Sequence, residues 1–235
     1  VFKAFNDGFA EAILIGRKDQ ITAICMNSGF DPGLFRIINS DNETSASEEA
    51  VRLVKSGEAD IVMKGLVGTD KFLKAVMNKE HGIMIPGATL SYVGAVEMPA
   101  YKKLLFITDT AVIPYPDLNQ KIAMVNYAIE MARRFGIDIP KVALIGASEK
   151  KSHHFSYTED YAEMCKMAAD GRINNCIMDG PLDLFLACDI KSPEIKGVST
   201  PVGGDADILL FPSLESCNPF YKSLMLFAGG ELAGL

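Results

Sequence analysis

The sequence predicts an α/β protein of two domains, each a mostly parallel sheet flanked by helices in three layers. Three observations predict it. Short continuous apolar runs alternate with amphipathic segments along the chain, which is the pattern of strands buried on both faces with crossover helices packed over them. That rhythm breaks once, between 88 and 112, and a second strand series starts at 141. The length, 235 residues, suffices for one large domain or two of ordinary size.

The elements follow in order. "EAILIG" (11–16) reads as a strand, "RKDQITAICMNSG" as a helix closed by Gly29, and "FRIINS" (35–40) as the next strand. A helix with a Ser45-x-x-Glu48 capping box and a Gly57 stop follows, then a strand at 60–64. "ATLSYVGAVEMP" (88–99) and "KKLLFITDTAV" (102–112) are separated only by "PAYK". So short a link holds no crossover helix, so an antiparallel hairpin on a mixed sheet is expected. A long helix spans 117–135, with Asp117 and Gln120 at N-cap and N3 spacing, an apolar stripe at 122, 125, 129 and 132, and Gly136 after it. "KVALIGAS" (141–148) opens the second strand series, continued near 175–179 and at 206–212. A helix from about 218 runs to Gly229-Gly230, and "LAGL" reads as the opening of another strand.

The domain change is expected within the long helix, giving a first domain 1–120 and a second domain 121–228. Residues 229–235 then begin a return to the first domain. The chain starts at Val1 without a Met and stops inside a strand-like run. Trimmed N-terminal sequence and further C-terminal sequence are therefore both expected.

Net charge is −7, which argues against nucleic acid, since that partner needs a basic face. A small anionic ligand remains compatible through a local basic pocket. No apolar run reaches the roughly 20 residues a membrane span needs. Five cysteines without a C-x-x-C pair suit free thiols in a reducing cytosol.

Four stretches carry candidate chemistry. In "IVMKGLVGTDKFLKAV" (61–76) a strand, a glycine-containing turn and a helix follow one another, placing Lys64, Gly65, Gly68 and Thr69 together. Successive backbone N–H groups feeding a helix start attract anions, and Thr69 reads as the N-cap. Asp70 in the first turn opposes a dianion directly above the helix, and the Lys-before-Gly order is not a Walker motif. An ordinary capped turn explains the same residues equally well.

"TDTAVIPYPD" (108–117) ends a strand with Thr108 and Asp109, where open α/β sheets collect ligand groups; capping of the following turn is the commoner use of such an Asp. "CIMDGPLD" (176–183) repeats the design with Asp179 and Gly180, suggesting walls of an interdomain cleft. In "PSLESCNPFYK" (212–222), Asn218-Pro219 reads as N-cap and N1, with Lys222 one turn in. His153-His154 lacks metal-ligand spacing and reads as a solvated loop. There is no G-x-S-x-G or G-x-G-x-x-G.

Seven segments, "EAILIG", "ADIVMKGLVGTDKFLKAV", "LLFITDTAV…PDLNQK", "PKVALIGASEK", "MDGPLDL", "GDADILLFPSLESCNP" and "YKSLMLFAGGELAGL", together resemble the phosphate acetyl/butyryltransferase family. The match is nearer its butyryl, or short and branched acyl, branch and spans essentially the whole chain. The resemblance implies an isocitrate/isopropylmalate dehydrogenase-like fold with an interdomain cleft, and a homodimer or higher homo-oligomer. It implies the reaction acyl-CoA plus phosphate to acyl phosphate plus CoA, in the cytoplasm, with CoA as substrate and neither metal nor covalent cofactor.

By that resemblance the "KGLVGT" loop, Ser91, Asp109, Asp179-Gly180 and Asn218 correspond to cleft-lining segments. The family's Ser-Arg pair and nearby Asp follow the next strand, so the principal catalytic residues are expected beyond Leu235. The butyryl branch has His where Tyr92 stands, Asn at Ile113, Asp at Phe185 and Ser213, and Gly at Cys217. Tyr92, Ile113 and Phe185 are therefore candidates for a larger or more apolar acyl pocket. The alternatives are the acetyl-specific enzyme, a metal-dependent dehydrogenase of the same fold, and an inactive CoA-binding homologue.

Overall fold

In a computed structural model, which describes residues 1–235, the chain divides into two units, Val1–Ala88 and Thr89–Leu235. The sequence rhythm alone places the change near 117–140. The structure puts the hairpin and the second strand series together, because the hairpin's second strand pairs directly with a strand of that series.

The unit Val1–Ala88 is built on two parallel strands, β1 (Ile13–Gly16) and β2 (Arg36–Asn39), registered Ile13 to Arg36 and Gly16 to Asn39. Around them lie α1 (Phe2–Asn6), α2 (Lys18–Asn27), α3 (Glu43–Lys55) and α4 (Thr69–Val76). Phe2 stacks on Phe30 at 4.2 Å, and Phe35 tilts against Phe2, Phe5 and Phe30. A small cluster of Val51, Ala75 and Val76, with Phe72 and Ile83 against it, joins α3 to α4.

Two expectations fail here. Asn42 caps α3: its Oδ1 accepts the Ser45 N–H at 2.9 Å, so Ser45 is the third helical residue. Asn caps at least as well as Ser, and starting there gains nearly a turn of helix. The strand expected at 60–64 does not form. Its backbone finds no ladder partner, and Ile61, Met63 and Leu66 stand exposed.

The unit Thr89–Leu235 carries a six-stranded sheet. Its strands are β3 (Gly94–Met98), β4 (Tyr101–Thr108), β5 (Lys141–Ile145), β6 (Ile177–Leu182), β7 (Ile208–Leu210) and β8 (Glu231–Gly234), in the order β6-β5-β7-β4-β3-β8. The first four of that order are parallel, while β3 is antiparallel to both β4 and β8. The hairpin forms as expected, its turn shortened to Pro99-Ala100. The "LAGL" run becomes β8 on the edge of this sheet.

Successive side chains along the strands point to opposite faces, and the apolar clusters sort accordingly. Phe106, Val142, Leu144, Ile208 and Leu210 meet α5 (Leu118–Arg134) and α6 (Tyr157–Ala169) on one face. Leu105, Ile107, Ala143, Ile145 and Leu209 meet α7 (Leu184–Cys188) and α9 (Leu214–Phe227) on the other. A short helix, α8 (Ser192–Lys196), follows α7. This unit is thus helix on sheet on helix. Each fully buried large side chain, such as Phe106 or Leu144, contributes about 1.5–3 kcal/mol.

The capping box of α5 is present in both directions: Asp117 accepts the Gln120 N–H, and Gln120 Oε1 accepts the Asp117 N–H. Lys121, buried near the start of α5, donates to Asp160 of α6 at 2.8 Å. At the amino end of the sheet Lys103 Nζ lies 2.9 Å from Asp205 and 2.8 Å from Asp207, and Lys141 Nζ 3.1 Å from Asp205. The Lys141 N–H donates to Asp207, and Tyr101 Oη donates to the Ala206 carbonyl. These bonds tie β4, β5 and the approach to β7 at one end, leaving the carboxyl end to the loops.

Candidate functional site

At the carboxyl end of β4, Thr108, Asp109 and Thr110 are all buried. One oxygen of Asp109 accepts the Ala111 and Val112 N–H groups at 2.7 and 2.9 Å, and the other accepts those of Ile113 and Tyr92, each at 3.3 Å. A carboxylate has about four acceptor sites, and here backbone fills them. The turn-capping reading of Asp109 is what this geometry displays. Asn218 Nδ2 donates to the Thr110 carbonyl at 2.8 Å, and Ser91 Oγ lies 3.4 Å from Thr108 Oγ1. Ser91, Thr108, Asp109 and Asn218 are therefore one connected group.

The start of α9 differs from the expected Asn218-Pro219 cap. The helix begins at Leu214 with Ser213 as N-cap, its Oγ accepting the Ser216 N–H, and Pro219 lies inside. Ser213, five residues before Asn218, offers an earlier cap, and the helix extends back to it. Asn218 then points sideways from the helix into the loop after β4. Lys222 sits in the middle of α9 with its ammonium 6.0 Å from the Tyr221 ring centre.

Asp179 is not at a strand end. It lies inside β6, opposite Ala143 of β5, with Oδ1 accepting the N–H of Gly180. Gly180 is required by space: a Cβ there would meet the Leu144 Cβ at 2.5 Å. Pro181 is tolerated because β6 is the sheet edge. The Thr108–Asp109 and Gly180–Pro181 peptide bonds are cis.

The three acyl-pocket candidates do not converge. Ile113 belongs to the cluster under α5, Phe185 stands 68% exposed on α7, and Tyr92 is half-buried beside β8. A Cβ on Gly234 would lie 2.2 Å from Tyr92 Oη, so the ring fits only against glycine. Burial pushes the Tyr92 phenol up, with Tyr221 adding to the shift. Two other departures have structural explanations. Ser213 caps as well as Asp would, and Cys217 fills core space while suiting a helix better than Gly.

In the unit Val1–Ala88, Lys64 is exposed and donates to the adjacent Gly65 carbonyl at 3.1 Å. Gly68, not Thr69, is the N-cap of α4. The Gly68 N–H donates to Glu43 Oε2 at 3.3 Å, and Lys71 Nζ donates to the same oxygen at 2.7 Å. Hydrogen bonds from Lys71 and then Gly68 hold the Glu43 carboxyl below its ordinary value. An internal carboxylate thus occupies the helix start that the sequence offers to a ligand. Sequence reasoning missed Glu43, because the expected Ser45 cap leaves it ahead of the helix and its partners Gly68 and Lys71 lie 25 and 28 residues away.

An open cavity of about 390 Å³ involves Arg133, Arg134, Asn174 and Asn175, near the last turn of α5 and the residues preceding β6. That is the amino end of the sheet, and no candidate residue lines it. The cysteines are all free; burial pushes the thiols of Cys165, Cys176 and Cys188 up to about 11. No helix is long and apolar enough to cross a membrane.

Residues 42–234 match the family described as phosphate acetyl/butaryl transferase. The phosphate butyryltransferase of Clostridium acetobutylicum is 41% identical over 232 residues, covering 99% of this chain and 77% of that protein. The phosphate acetyltransferase of Thermotoga maritima is 32% identical over 233 residues, covering 99% and 79%. Among solved structures, a branched-chain phosphotransacylase from Enterococcus faecalis superposes with a TM-score of 0.78 at 28% identity, covering 94% of this chain and 87% of that one.

Proposed function

Because this chain belongs to the phosphate acetyl/butaryl transferase family, we propose that it is a phosphate acyltransferase, converting acyl-CoA and inorganic phosphate to acyl phosphate and CoA. A butyryl or branched short acyl group is preferred over acetyl. The observation that carries this reading is the 41% identity to a phosphate butyryltransferase over 99% of the chain.

The chemistry is a direct transfer. A phosphate oxygen attacks the thioester carbonyl, the carbonyl oxygen takes up the charge, and the C–S bond breaks to release CoA as thiolate. Donors aimed at the developing oxyanion and alignment of the two reactants supply the rate. Lys64, the Gly65–Gly68 backbone and Thr69 are assigned to phosphate or CoA. Ser91, Thr108, Asp109, Asp179, Gly180 and Asn218 are assigned to substrate contact, Asp109 also holding the loop after β4. Tyr92, Ile113 and Phe185 remain proposals for acyl selection, Tyr92 being joined to the Asp109 group through its own N–H. The reading includes an isocitrate/isopropylmalate dehydrogenase-like fold, a cytoplasmic homo-oligomer, and no resident cofactor.

The test is thiol release from acetyl-, butyryl- and isobutyryl-CoA, with and without phosphate. Phosphate-dependent release, fastest with a four-carbon acyl group, is expected. Release that ignores phosphate, or NAD reduction in its place, would sink the reading.

A further inference from the structure

The loop joining β5 to α6, residues 146–156, is separate from the Ser91–Thr108–Asp109–Asn218 group. It leaves the carboxyl end of β5, where the Gly146 N–H donates to the Leu182 carbonyl at 2.9 Å and the Ala147 N–H to Tyr157 Oη at 3.3 Å. Its far end is pinned by Thr158 Oγ1, which donates to the Ser152 and Phe155 carbonyls at 3.2 and 2.8 Å. Between these anchors Lys150, Lys151, His153, His154 and Phe155 are all exposed.

The charges on this loop are unengaged. Neither Lys150 nor Lys151 enters an ion pair; Lys102, Lys166, Lys191 and Lys222 of the same unit are also unpaired, but only Lys150 and Lys151 are unpaired neighbours in the chain. In a chain of net charge −7, the two adjacent ammonium groups outweigh neighbouring Glu149 and leave the loop a local positive charge opposite to the global one. Flat rings stand beside them: His153 and His154 lie 4.0 Å apart, and Phe155 stacks on Tyr157 at 5.5 Å and 29°. The loop also borders the Asp179–Gly180 segment. Cys165 Sγ reaches the Gly180 carbonyl at 3.8 Å and senses the charges of both Asp179 and Lys151. Compact ammonium groups suit phosphate oxygens, and exposed rings suit the π-face of a base.

We propose that Lys150, Lys151 and the His153–Phe155 rings form the seat for the phosphorylated adenosine arm of the acyl thioester. The ammonium groups hold its phosphates and the rings face its adenine. This rests on the acyl-CoA reading above, and it assigns the nucleotide end of that substrate to a loop separate from the Ser91–Thr108–Asp109–Asn218 group.

The direct test is calorimetric titration of the full chain with adenosine 3′,5′-bisphosphate. The dissociation constant should weaken about tenfold in Lys150→Ala/Lys151→Ala, as expected for losing two partly screened charge contacts. It should be recovered in Lys150→Arg/Lys151→Arg, and Lys102→Ala, an exposed lysine on β4, should change nothing. Absence of binding to the unaltered chain, equal binding by the double alanine variant, or equal weakening by Lys102→Ala would overturn the proposal.

Kinetics give the second arm. The ratio of kcat/KM for butyryl-CoA to that for butyryl-pantetheine should fall about tenfold in the double alanine variant; an unchanged ratio overturns the seat. Should no thioester give phosphate-dependent thiol release, the acyltransferase reading falls by itself. The bisphosphate titration then still decides the loop.

Discussion

In the unit Thr89–Leu235, Asp109 is held by four backbone amides at the end of a six-stranded sheet. In the unit Val1–Ala88, Lys64 donates only to the carbonyl beside it, and the loop around it is exposed. The larger unit fixes its candidate residues by construction: capping carboxylate, buried threonines and the Asn218 tether form one bonded group. The smaller unit sets its loop by a single long-range carboxylate, Glu43. Preorganisation in the first case is part of the fold's stability. In the second it is separable from stability, so the two groups should respond differently to substitution.

Asp109→Ala should give the largest effect. It leaves the N–H groups of Tyr92, Ala111, Val112 and Ile113 without their acceptor, and a loss of about 3–5 kcal/mol is expected in urea denaturation followed by circular dichroism. A loss under about 1 kcal/mol would break the contrast, because Asp109 would then be no better integrated than Lys64.

Lys103→Ala comes next, at about 2 kcal/mol, by leaving Asp207 short of its ammonium partner. It carries a pH signature as well. Burial disfavours ionisation of Asp205, but hydrogen bonds from Lys103 and Lys141 outweigh it and hold the carboxyl below its ordinary value. A depressed carboxyl stabilises the fold above its unfolded pKa, near about 4, and that stability is lost as pH falls through the folded value. Stability of the unaltered chain should therefore drop below about pH 4, and the variant should show a shallower drop. Equal slopes would remove the network from the comparison.

Lys64→Ala sharpens the other side. Stability should change by less than about 0.5 kcal/mol, while KM for phosphate or CoA rises several-fold. An unchanged KM for both returns the loop to an ordinary turn. The smallest effect is expected at Phe185, whose exposed ring makes Phe185→Ala nearly neutral for stability, within about 0.5 kcal/mol; an unchanged acyl preference there would remove it from the pocket.

Legibility from sequence follows the same division. Helix α5 could be read outright, because Asp117, Gln120 and the apolar stripe all act within a few residues of each other. The hairpin was readable from the shortness of its link. What failed depended on competition or on distant partners. Asn42 outcompeted Ser45 as a cap, Ser213 outcompeted Asn218, and the 60–64 run had strand composition but no neighbouring strand edge. Within the candidate group, Thr108 and Asp109 were legible as a strand terminus. That Asp109 would be saturated by amides was not, since the Tyr92 N–H comes from 17 residues away. The division at Ala88 was hidden for a similar reason: strand pairing, not helix length, decides which unit the hairpin joins.

The edge strand β6 has a consequence for handling the protein at high concentration. An open sheet edge is a template for the next molecule's backbone, and a run of free N–H groups there seeds fibrous aggregates. Pro181 carries no N–H, and Gly180 beside it offers an incoming strand no side chain to pack against. The glycine that lets β6 pass close to Leu144, with the proline after it, thus also makes the outer margin of β6 a poor surface for adding strands. Pro181→Val would be expected to hasten turbidity on storage more than it changes the midpoint of unfolding.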